Sequence, residues 1–381
     1  MTTKRNKRSS NTLKKLPRND EELIQALFES FLLARRGKTN TDDEFRFEMH
    51  WFENLEQLAE DVIERRYHPS RSKAFITHDP VIREIFAAPF RDRIIHHLLY
   101  AIVAPWWEKR FIETSFSCRN GKGTDYGVWQ LQVAMRRASL NGTKNAVVMK
   151  GDFSGYFMSM KRTLLFEKVE WGLEKQFPKK DWAYELCRFL WREVIFDNPV
   201  EGARMVGKKT DWEKLPKNKS LFCQPPGQGI VIGNLTSQLL SNIIMNEFDW
   251  WMRQSLGFKY YGRYVDDFYI VVPEEEYGYA LEAMRVVVPK YLAEMGLRLH
   301  PNKRYVQNVQ KGCPFLGKMV HIDCLLPGKR IKRNVKRAFD AFVSKGIGED
   351  GIMSYVGMMK YVDAKSFMAK IVEGHGGRYL Y

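Results

Sequence analysis

Two adjacent carboxylates inside a strand-like run restrict the fold more than any other feature of the sequence. Asp266 and Asp267 lie between the aromatic run 260–264 and the apolar run from Phe268 to Val272. Successive side chains of a strand point to opposite faces, so a turn is needed to bring both carboxylates to one site. Lys259 to Val272 therefore predicts two strands folded about the pair. Adjacent carboxylates repel each other and suit a cation site, although Asp is also common in solvated turns.

A third carboxylate follows another predicted strand. The run from Ala146 to Lys150 is strand-like and ends at Gly151-Asp152. Asp152 could be a helix N-cap, or it could join Asp266 at a metal site. The two residues are 114 positions apart, so only the fold could bring them together.

A glycine-containing loop opens a predicted helix at Asn234 to Arg253. Gly229 and Gly233 allow the backbone to approach a ligand closely before the helix begins. Glycine followed by Asn234 and Thr236 is also typical of an ordinary helix start, because Asn and Thr are common N-caps.

The composition favours a nucleic-acid partner. The chain has 381 residues, 44% of them apolar, and its 61 Lys and Arg exceed its 45 Asp and Glu to give a net charge of +16. Such a surplus indicates a polyanion, nucleic acid rather than membrane. The five cysteines are widely spaced with no C-x-x-C pair, which is typical of a reduced protein without structural zinc. We find neither a signal peptide nor an apolar run long enough to cross a bilayer, so we expect a cytoplasmic protein without a membrane partner.

The remaining patterns predict the organisation of the chain. Residues 1–20 carry seven Lys or Arg and form a basic arm that could meet phosphate. An apolar stripe behind a capping box of Thr41 and Glu44 predicts a core-facing helix. The stripe consists of Phe45, Met49, Phe52, Leu55, Ala59 and Val62. Other predicted elements are a helix from Phe90, an inserted loop or hairpin at 197–228, a helix near Glu275 to Met295, and a short strand at Leu297–Leu299.

The three motifs together resemble the palm of reverse transcriptases. Their order is a strand Asp, a glycine loop opening a helix, and an aromatic-x-Asp-Asp hairpin. Further segments resemble other parts of that family. Asp79 to His97 resembles its fingers segment, and Phe111 to Thr124 resembles the stretch that precedes its first palm strand. Leu297 to Lys303 and Phe315-Leu316-Gly317 resemble its two late palm motifs, and Ser354 to Gly357 with Lys360 resembles its thumb. The likeness covers roughly residues 20–375.

The resemblance implies an α+β right-hand polymerase fold with fingers, an antiparallel palm sheet packed on helices, and a helical thumb. The implied domains are the arm at 1–20, fingers with part of the palm at 21–145, a palm at 146–320 and a basic thumb at 321–381.

Two departures indicate a branch of the family. Most relatives have Gln-Gly ahead of the helix and Ser-Pro within it, whereas this chain has Ile232-Gly233 and Ser237-Gln238. This pattern resembles the reverse transcriptases of diversity-generating retroelements. It implies an RNA-directed DNA polymerase that makes cDNA from a template RNA and errs at template adenines. The alternatives are a retron, group II intron-type or phage-defence enzyme, and, in another class, an inactive nucleic-acid-binding protein.

The resemblance also implies roles for individual residues. Asp152, Asp266 and Asp267, with the carbonyl of Phe153, would hold two Mg²⁺ ions, or Mn²⁺ in their place. Lys303 would donate a proton to pyrophosphate, unless it is only a solvated lysine.

The other implied contacts are with the substrates. The residues assigned to the incoming dNTP are Lys73 and Arg83 at its triphosphate, Phe157 against the ribose, and Ile232, Gly233, Asn234 and Tyr264. The residues assigned to the template RNA and the RNA–cDNA duplex are Ser237, Gln238, Lys329, Arg330, Lys332, Arg333, Lys336 and Arg337. Arg83 could instead form a surface ion pair, and the thumb cations could be a solvated helix face. The family also suggests a small basic accessory protein as a partner.

Overall fold

The structure is a computed structural model that describes residues 13, 15–36, 41–78, 81–345, 349–359 and 361–374. Its helices in chain order are α1 (Asp20–Ala34), α2 (Asp42–Met49), α3 (Trp51–Ile63), α4 (Phe90–Glu108), α5 (Thr124–Ala138), α6 (Tyr156–Ser159), α7 (Arg162–Gln176), α8 (Trp182–Phe196), α9 (Lys209–Glu213), α10 (Leu235–Gln254), α11 (Tyr277–Glu282), α12 (Val288–Glu294), α13 (Lys329–Lys345), α14 (Glu349–Met359) and α15 (Lys365–Gly374). Its strands are β1 (Lys73–Thr77), β2 (Arg83–Ala87), β3 (Ala146–Asp152), β4 (Arg204–Val206), β5 (Tyr260–Tyr264), β6 (Asp267–Pro273), β7 (Tyr305–Asn308), β8 (Cys313–Phe315), β9 (Lys318–Val320) and β10 (Leu325–Pro327).

The chain divides into two compact units. Unit 1 consists of Met1–Ile112, Phe153–Phe248 and Leu292–Arg298, and unit 2 consists of Glu113–Asp152, Asp249–Tyr291 and Leu299–Tyr381. Each unit draws on separate stretches of the sequence, so neither is a continuous piece of chain.

Unit 1 combines helices with a small sheet in the order β2-β1-β4. Strand β1 pairs antiparallel with β2 and parallel with β4. The segment 197–228 is therefore an insertion that adds strand β4 to this sheet and also contains helix α9, and it does not form a hairpin of its own. Its later part is fixed by the buried Glu84 carboxylate, which accepts hydrogen bonds from Ser220 Oγ at 2.8 Å and Leu221 N at 2.6 Å.

Unit 2 is built on an antiparallel sheet in the order β5-β6-β3-β7. Helix α5 packs on this sheet, and their shared core contains Phe116, Leu131, Val148 and Tyr269, all at most 1% exposed. A second antiparallel sheet in the order β10-β9-β8 precedes α13. Helices α13 to α15 have a small core of their own around Val335 and Phe339.

Most of the predicted elements are confirmed. The structure has the strand ending at Asp152, the two strands about Asp266-Asp267, the helix from Phe90 and the helix after Asn234. The helix near Glu275 to Met295 is also present, but a π-helical turn at Ala283–Val287 separates α11 from α12. The α+β fold class with an antiparallel sheet is confirmed.

Two predictions about local structure are wrong. The apolar stripe is not one core-facing helix, because α2 ends at Met49 and α3 begins anew at Trp51. Phe45, Met49 and Phe52 are 57%, 61% and 59% exposed, whereas the later members of the stripe are buried. One half of the capping box is present, since Thr41 is the N-cap of α2 and its Oγ1 accepts a hydrogen bond from Glu44 N.

The short strand predicted at Leu297–Leu299 is also absent, and the edge strand β7 starts later, at Tyr305. Most of the basic arm, residues 1–12 and 14, and the thumb residue Lys360 lie outside the described residues. Within the ranges that are described, no helix is both long and apolar enough to cross a bilayer.

Candidate active site

The centre of the candidate site is a pair of carboxylates on neighbouring strands. Strands β3 and β6 are antiparallel, and their register places Asp152 directly opposite Asp267. Directly opposed residues of an antiparallel pair project to the same face, with their Cβ atoms about 4.5–5.5 Å apart. The fold thus unites two carboxylates that are far apart in the sequence.

The third carboxylate lies on the turn between β5 and β6. Tyr264 pairs with Asp267, so Val265 and Asp266 form a two-residue hairpin turn. Such turns need a positive φ at one or both central residues, and Val265 has φ +55°. That conformation is strained for a β-branched side chain. The turn places Asp266 at the tip of the hairpin, directly before Asp267 at the start of β6.

Two lysines neutralise the opposed carboxylates. Lys303 Nζ lies 2.9 and 3.0 Å from the two carboxylate oxygens of Asp152. Lys150 Nζ lies 3.2 Å from Asp267 Oδ2 and donates a hydrogen bond to the carbonyl of Pro314 at 2.9 Å. Lys150 was not predicted, although its position two residues before Asp152 on the same strand places both side chains on one face.

The site is electrostatically suited to a cation. Burial raises the pKa of Asp267 to about 6, with Lys150 opposing this shift and the neighbouring Asp266 and Asp152 adding to it. A bound divalent cation would relieve the repulsion among these carboxylates, and carboxylate oxygens are ligands that Mg²⁺ prefers. Among the described residues no three Asp, Glu, His or Cys side chains are placed so that they could hold a metal ion, and Asp152, Asp266 and Asp267 are no exception. The donor set fits a metal that also binds substrate oxygens, as Mg²⁺ commonly does.

A buried ion pair next to the turn was also missed. Arg263 and Asp249 are both fully buried, and the guanidinium contacts the two Asp249 oxygens at 2.7 and 2.8 Å. Their spacing carries no recognisable pattern, and Arg263 within a strand could equally have been a solvated residue.

The glycine loop of unit 1 is joined to strand β2. The amide of Phe86 donates a hydrogen bond to the carbonyl of Ile232 at 3.0 Å. Gly233 has φ +131°, and a Cβ there would lie 2.8 Å from the Phe86 carbonyl oxygen. Ile232 and Phe157 are both half-buried members of one apolar cluster around Phe86 and Leu221. Asn234 lines a neighbouring cavity of about 170 Å³.

The remaining predicted nucleotide residues are spread more widely. Lys73 and Arg83 are exposed on the paired strands β1 and β2, where Lys73 faces Ala87 and Arg83 faces Thr77. They therefore share a face but lie at opposite ends of the pair, about 13 Å apart along the strands. In unit 2, Tyr264 is half-buried against the core beneath the sheet β5-β6-β3-β7. Phe153 is buried in unit 1 and stacks on Tyr156.

The predicted nucleic-acid residues divide between α10 and α13. On α10, Ser237 is buried and Gln238 is exposed. On α13, the exposed cations are Lys329, Arg330, Arg333, Lys336 and Arg337. Lys332 is half-buried, with its ammonium 5.7 Å from the centre of the Phe367 ring. The buried Val335 and Phe339 lie on the opposite face, so α13 presents a basic face to solvent.

A comparison with known protein families shows which family the chain belongs to. Residues 78–320 match the family described as reverse transcriptase (RNA-dependent DNA polymerase). The chain belongs to the reverse transcriptase family. This match includes Asp152, Asp266, Asp267 and Lys303, and it assigns the chain a domain of the RNA-directed DNA polymerase type.

Individual relatives are distant. Protein YkfC of Escherichia coli (strain K12) is 23% identical over 297 residues, which cover 69% of this chain and 70% of that protein. Telomerase from Candida albicans, in complex with a fragment of telomeric RNA, has a TM-score of 0.48 at 12% identity over 82% of this chain. Apo telomerase from Candida tropicalis gives 0.47 at 10% identity over 80%. The chain spans 58% of the length of each telomerase chain.

Proposed function

We propose that the protein synthesises DNA on a template RNA from dNTPs, using Asp152, Asp266 and Asp267 to hold two Mg²⁺ ions. The observation that carries this proposal is the register that sets Asp152 opposite Asp267, with Asp266 on the adjoining turn. The chemistry that Mg²⁺ supplies at such a site is activation of the primer 3′-hydroxyl and stabilisation of charge on the departing pyrophosphate.

The protein's own side chains account for charge and protons. Lys303 is 56% exposed at its side chain and is held at Asp152, so its ammonium can turn towards a triphosphate and donate a proton to the leaving group. Lys150 is only 14% exposed and stays beside Asp267. We assign the proton-donor role to Lys303 for this reason.

The nucleic-acid partners are a template RNA and the growing RNA–cDNA duplex. The exposed cations of α13 suit the phosphates of a duplex, which would give binding that depends strongly on salt and little on sequence.

A primer-extension assay with an RNA template tests the activity. We expect Asp266→Asn to abolish DNA synthesis and to leave RNA binding nearly intact, because phosphate contacts come from Lys and Arg elsewhere. Asp323→Asn, at an exposed carboxylate in the loop between β9 and β10, is the matched control and should extend normally. Extension by Asp266→Asn at more than a few per cent of the wild-type rate would contradict the assignment.

We further propose that this polymerase is the enzyme of a diversity-generating retroelement and that its misincorporation is concentrated at template adenines. The support is the Ile232-Gly233 and Ser237-Gln238 pattern, together with the apolar surroundings of Ile232, which offer an incoming nucleotide no side-chain hydrogen bond at that position. A small basic accessory protein is part of this proposal.

The error spectrum of the cDNA separates the alternatives. An excess of errors opposite adenine supports the retroelement assignment. Errors spread evenly over the template would favour a retron, group II intron-type or phage-defence enzyme. RNA binding without any extension would favour an inactive binding protein.

A further inference from the structure

The guanidinium of Arg263 is fully buried beside the turn that carries Asp266. It makes two parallel contacts with Asp249 of α10, from Nε at 2.7 Å and from Nη2 at 2.8 Å. Tyr261 also donates a hydrogen bond to the same carboxylate, at 2.5 Å. Asp249 thus fixes the orientation of the guanidinium plane.

The third nitrogen of Arg263 reaches the turn itself. Nη1 donates a hydrogen bond to the carbonyl of Val265 at 3.0 Å. The main chain of Arg263 is fixed too, since its amide donates to Thr114 O and its carbonyl accepts from Phe116 N, both at 2.9 Å. Arg263 is therefore held through both its side chain and its main chain, and it can in turn hold Val265 in place.

Val265 is the residue of the turn that needs to be held. Its φ of +55° is strained for a β-branched side chain, and strained backbone persists only where its surroundings over-determine it. The next residue in the chain is Asp266. If Val265 relaxed to a negative φ, the direction of the Asp266 carboxylate would change with it.

We propose that the Arg263–Asp249 pair is a positioning device that clamps the Val265 carbonyl and thereby fixes Asp266 for metal binding. Buried ion pairs are a weak source of stability, because the desolvation of both charges offsets their attraction. A contribution to stability therefore gives little reason for burying Arg263 and Asp249. The planar guanidinium of Arg263 contacts the Asp249 carboxylate and the Val265 carbonyl at the same time, which suits a positioning role. The inference rests on the proposed polymerase function.

Two variants remove the clamp in different ways. Arg263→Lys keeps a buried positive charge for Asp249 but has no planar fork to contact Val265 as well. The triple variant Arg263→Met, Asp249→Leu and Tyr261→Phe removes both charges and the hydroxyl, so no charge is left buried without a partner. Lys318→Met is the control, because Lys318 is another nearly buried cation of unit 2, and its partner is Asp125 on α5.

Four quantities are measured for each variant. They are kcat and KM for dNTP in primer extension, the Kd for Mn²⁺ of the full chain without nucleic acid by titration calorimetry, and the melting temperature. We expect both clamp variants to lose at least tenfold in kcat with KM for dNTP within twofold, and to bind Mn²⁺ severalfold more weakly. Lys318→Met should stay within twofold in kcat and in Mn²⁺ affinity.

The two proposals fail in different ways. If the wild-type protein binds Mn²⁺ but does not extend a primer, the polymerase proposal fails, and the Mn²⁺ affinities of the variants still test the clamp. A triple variant with wild-type kcat and Mn²⁺ affinity would overturn the clamp. If the triple variant does not fold, wild-type kcat and Mn²⁺ affinity in Arg263→Lys would overturn it instead.

Discussion

Each of the two opposed carboxylates has an ammonium group of its own. Lys303 binds Asp152 and Lys150 binds Asp267, so two like charges can face each other across β3 and β6 before any metal arrives. The two lysines differ in exposure, 56% for Lys303 and 14% for Lys150. The more exposed Lys303 is able to follow a substrate, whereas the less exposed Lys150 is better suited to hold its charge beside Asp267.

We expect Ile232, in the glycine loop of unit 1, to affect the fidelity of the proposed DNA synthesis. A glutamine here could hydrogen-bond near the incoming nucleotide, whereas the isoleucine packs in an apolar cluster. A hydrogen bond is worth about 1 kcal/mol net, and about 1.4 kcal/mol is a tenfold ratio. We therefore predict that Ile232→Gln lowers misincorporation by up to about an order of magnitude, most visibly opposite template adenine. Sequencing of cDNA made on one template measures this.

Ile232→Leu is the matched control for that experiment. It keeps an apolar side chain of the same size in the cluster, so its error rate should equal that of the wild type. An equal or higher error rate in Ile232→Gln, with normal extension, would show that Ile232 only packs the loop.

A pH-dependent contribution to stability is expected at Asp197, which ends α8. Burial raises the pKa of its carboxyl to about 6, with Arg162 opposing the shift. Below a pH of about 4 the carboxyl group is largely protonated in both the folded and the unfolded state, so burial of the group costs little. As the pH rises from about 4 to 6, the unfolded state releases the proton while the folded state keeps it, so the free energy of unfolding falls, and the loss is complete above pH 6. Asp197→Asn cannot ionise, so we predict that it stabilises the protein by about 1–2 kcal/mol at pH 8 and by about a third of that amount at pH 4.5.

Chemical denaturation at the two pH values checks the Asp197 prediction. Asp323→Asn, at an exposed carboxylate, controls for the removal of one negative charge and should show no such difference. Equal stabilisation by Asp197→Asn at both pH values would mean that the amide helps through packing rather than through the lost charge.

At the scale of elements, the sequence predicts what is set by neighbouring residues. The hairpin about Asp266-Asp267 and the helix after the glycine loop follow from local apolar patterning and turn chemistry, and both are present. The break at His50 could not be predicted, because the apolar period continues through it although the helix does not. The partners of Asp267 and Arg263 depend on register and on contacts between distant segments, so Lys150 and Asp249 were missed.

The basic face of α13 carries a prediction of its own. Arg330→Gln with Arg333→Gln removes two exposed cations without touching the buried Val335 face. We predict weaker binding of an RNA–DNA duplex, with the slope of log K against log salt reduced by about 2, since each phosphate contact contributes about 0.9. Fluorescence anisotropy at several salt concentrations measures the slope.

The control for the α13 pair is Lys175→Gln with Lys179→Gln. These residues are also exposed, and their replacement changes the net charge of the chain by the same amount. A similar loss of slope in both pairs would mean that only net charge matters and that α13 has no particular contact with the duplex.

At the scale of the whole molecule, the charge is concentrated towards the ends of the chain. The first nine positions of α13, Lys329 to Arg337, carry six cations, and residues 1–18 carry seven of the positive charges in a chain of net charge +16. Contacts with phosphate release condensed counterions, so binding that depends on these charges must weaken as salt rises. The three carboxylates that we propose to bind metal lie in neither segment, so we expect that affinity and chemistry can be changed separately.

Deletion of residues 1–18 tests that separation. We predict weaker binding of template RNA and a shallower salt dependence, because seven cations are lost, with kcat at saturating RNA within twofold of the wild type. A full-length variant with the residues of the arm in scrambled order keeps the same charge and should restore the slope, since phosphate contacts of this kind do not depend on sequence. Anisotropy titrations of the three proteins from low to high salt decide the matter. An unchanged slope after deletion would show that the arm touches no phosphate, and a scrambled arm that fails to restore binding would show that it recognises the RNA by more than charge.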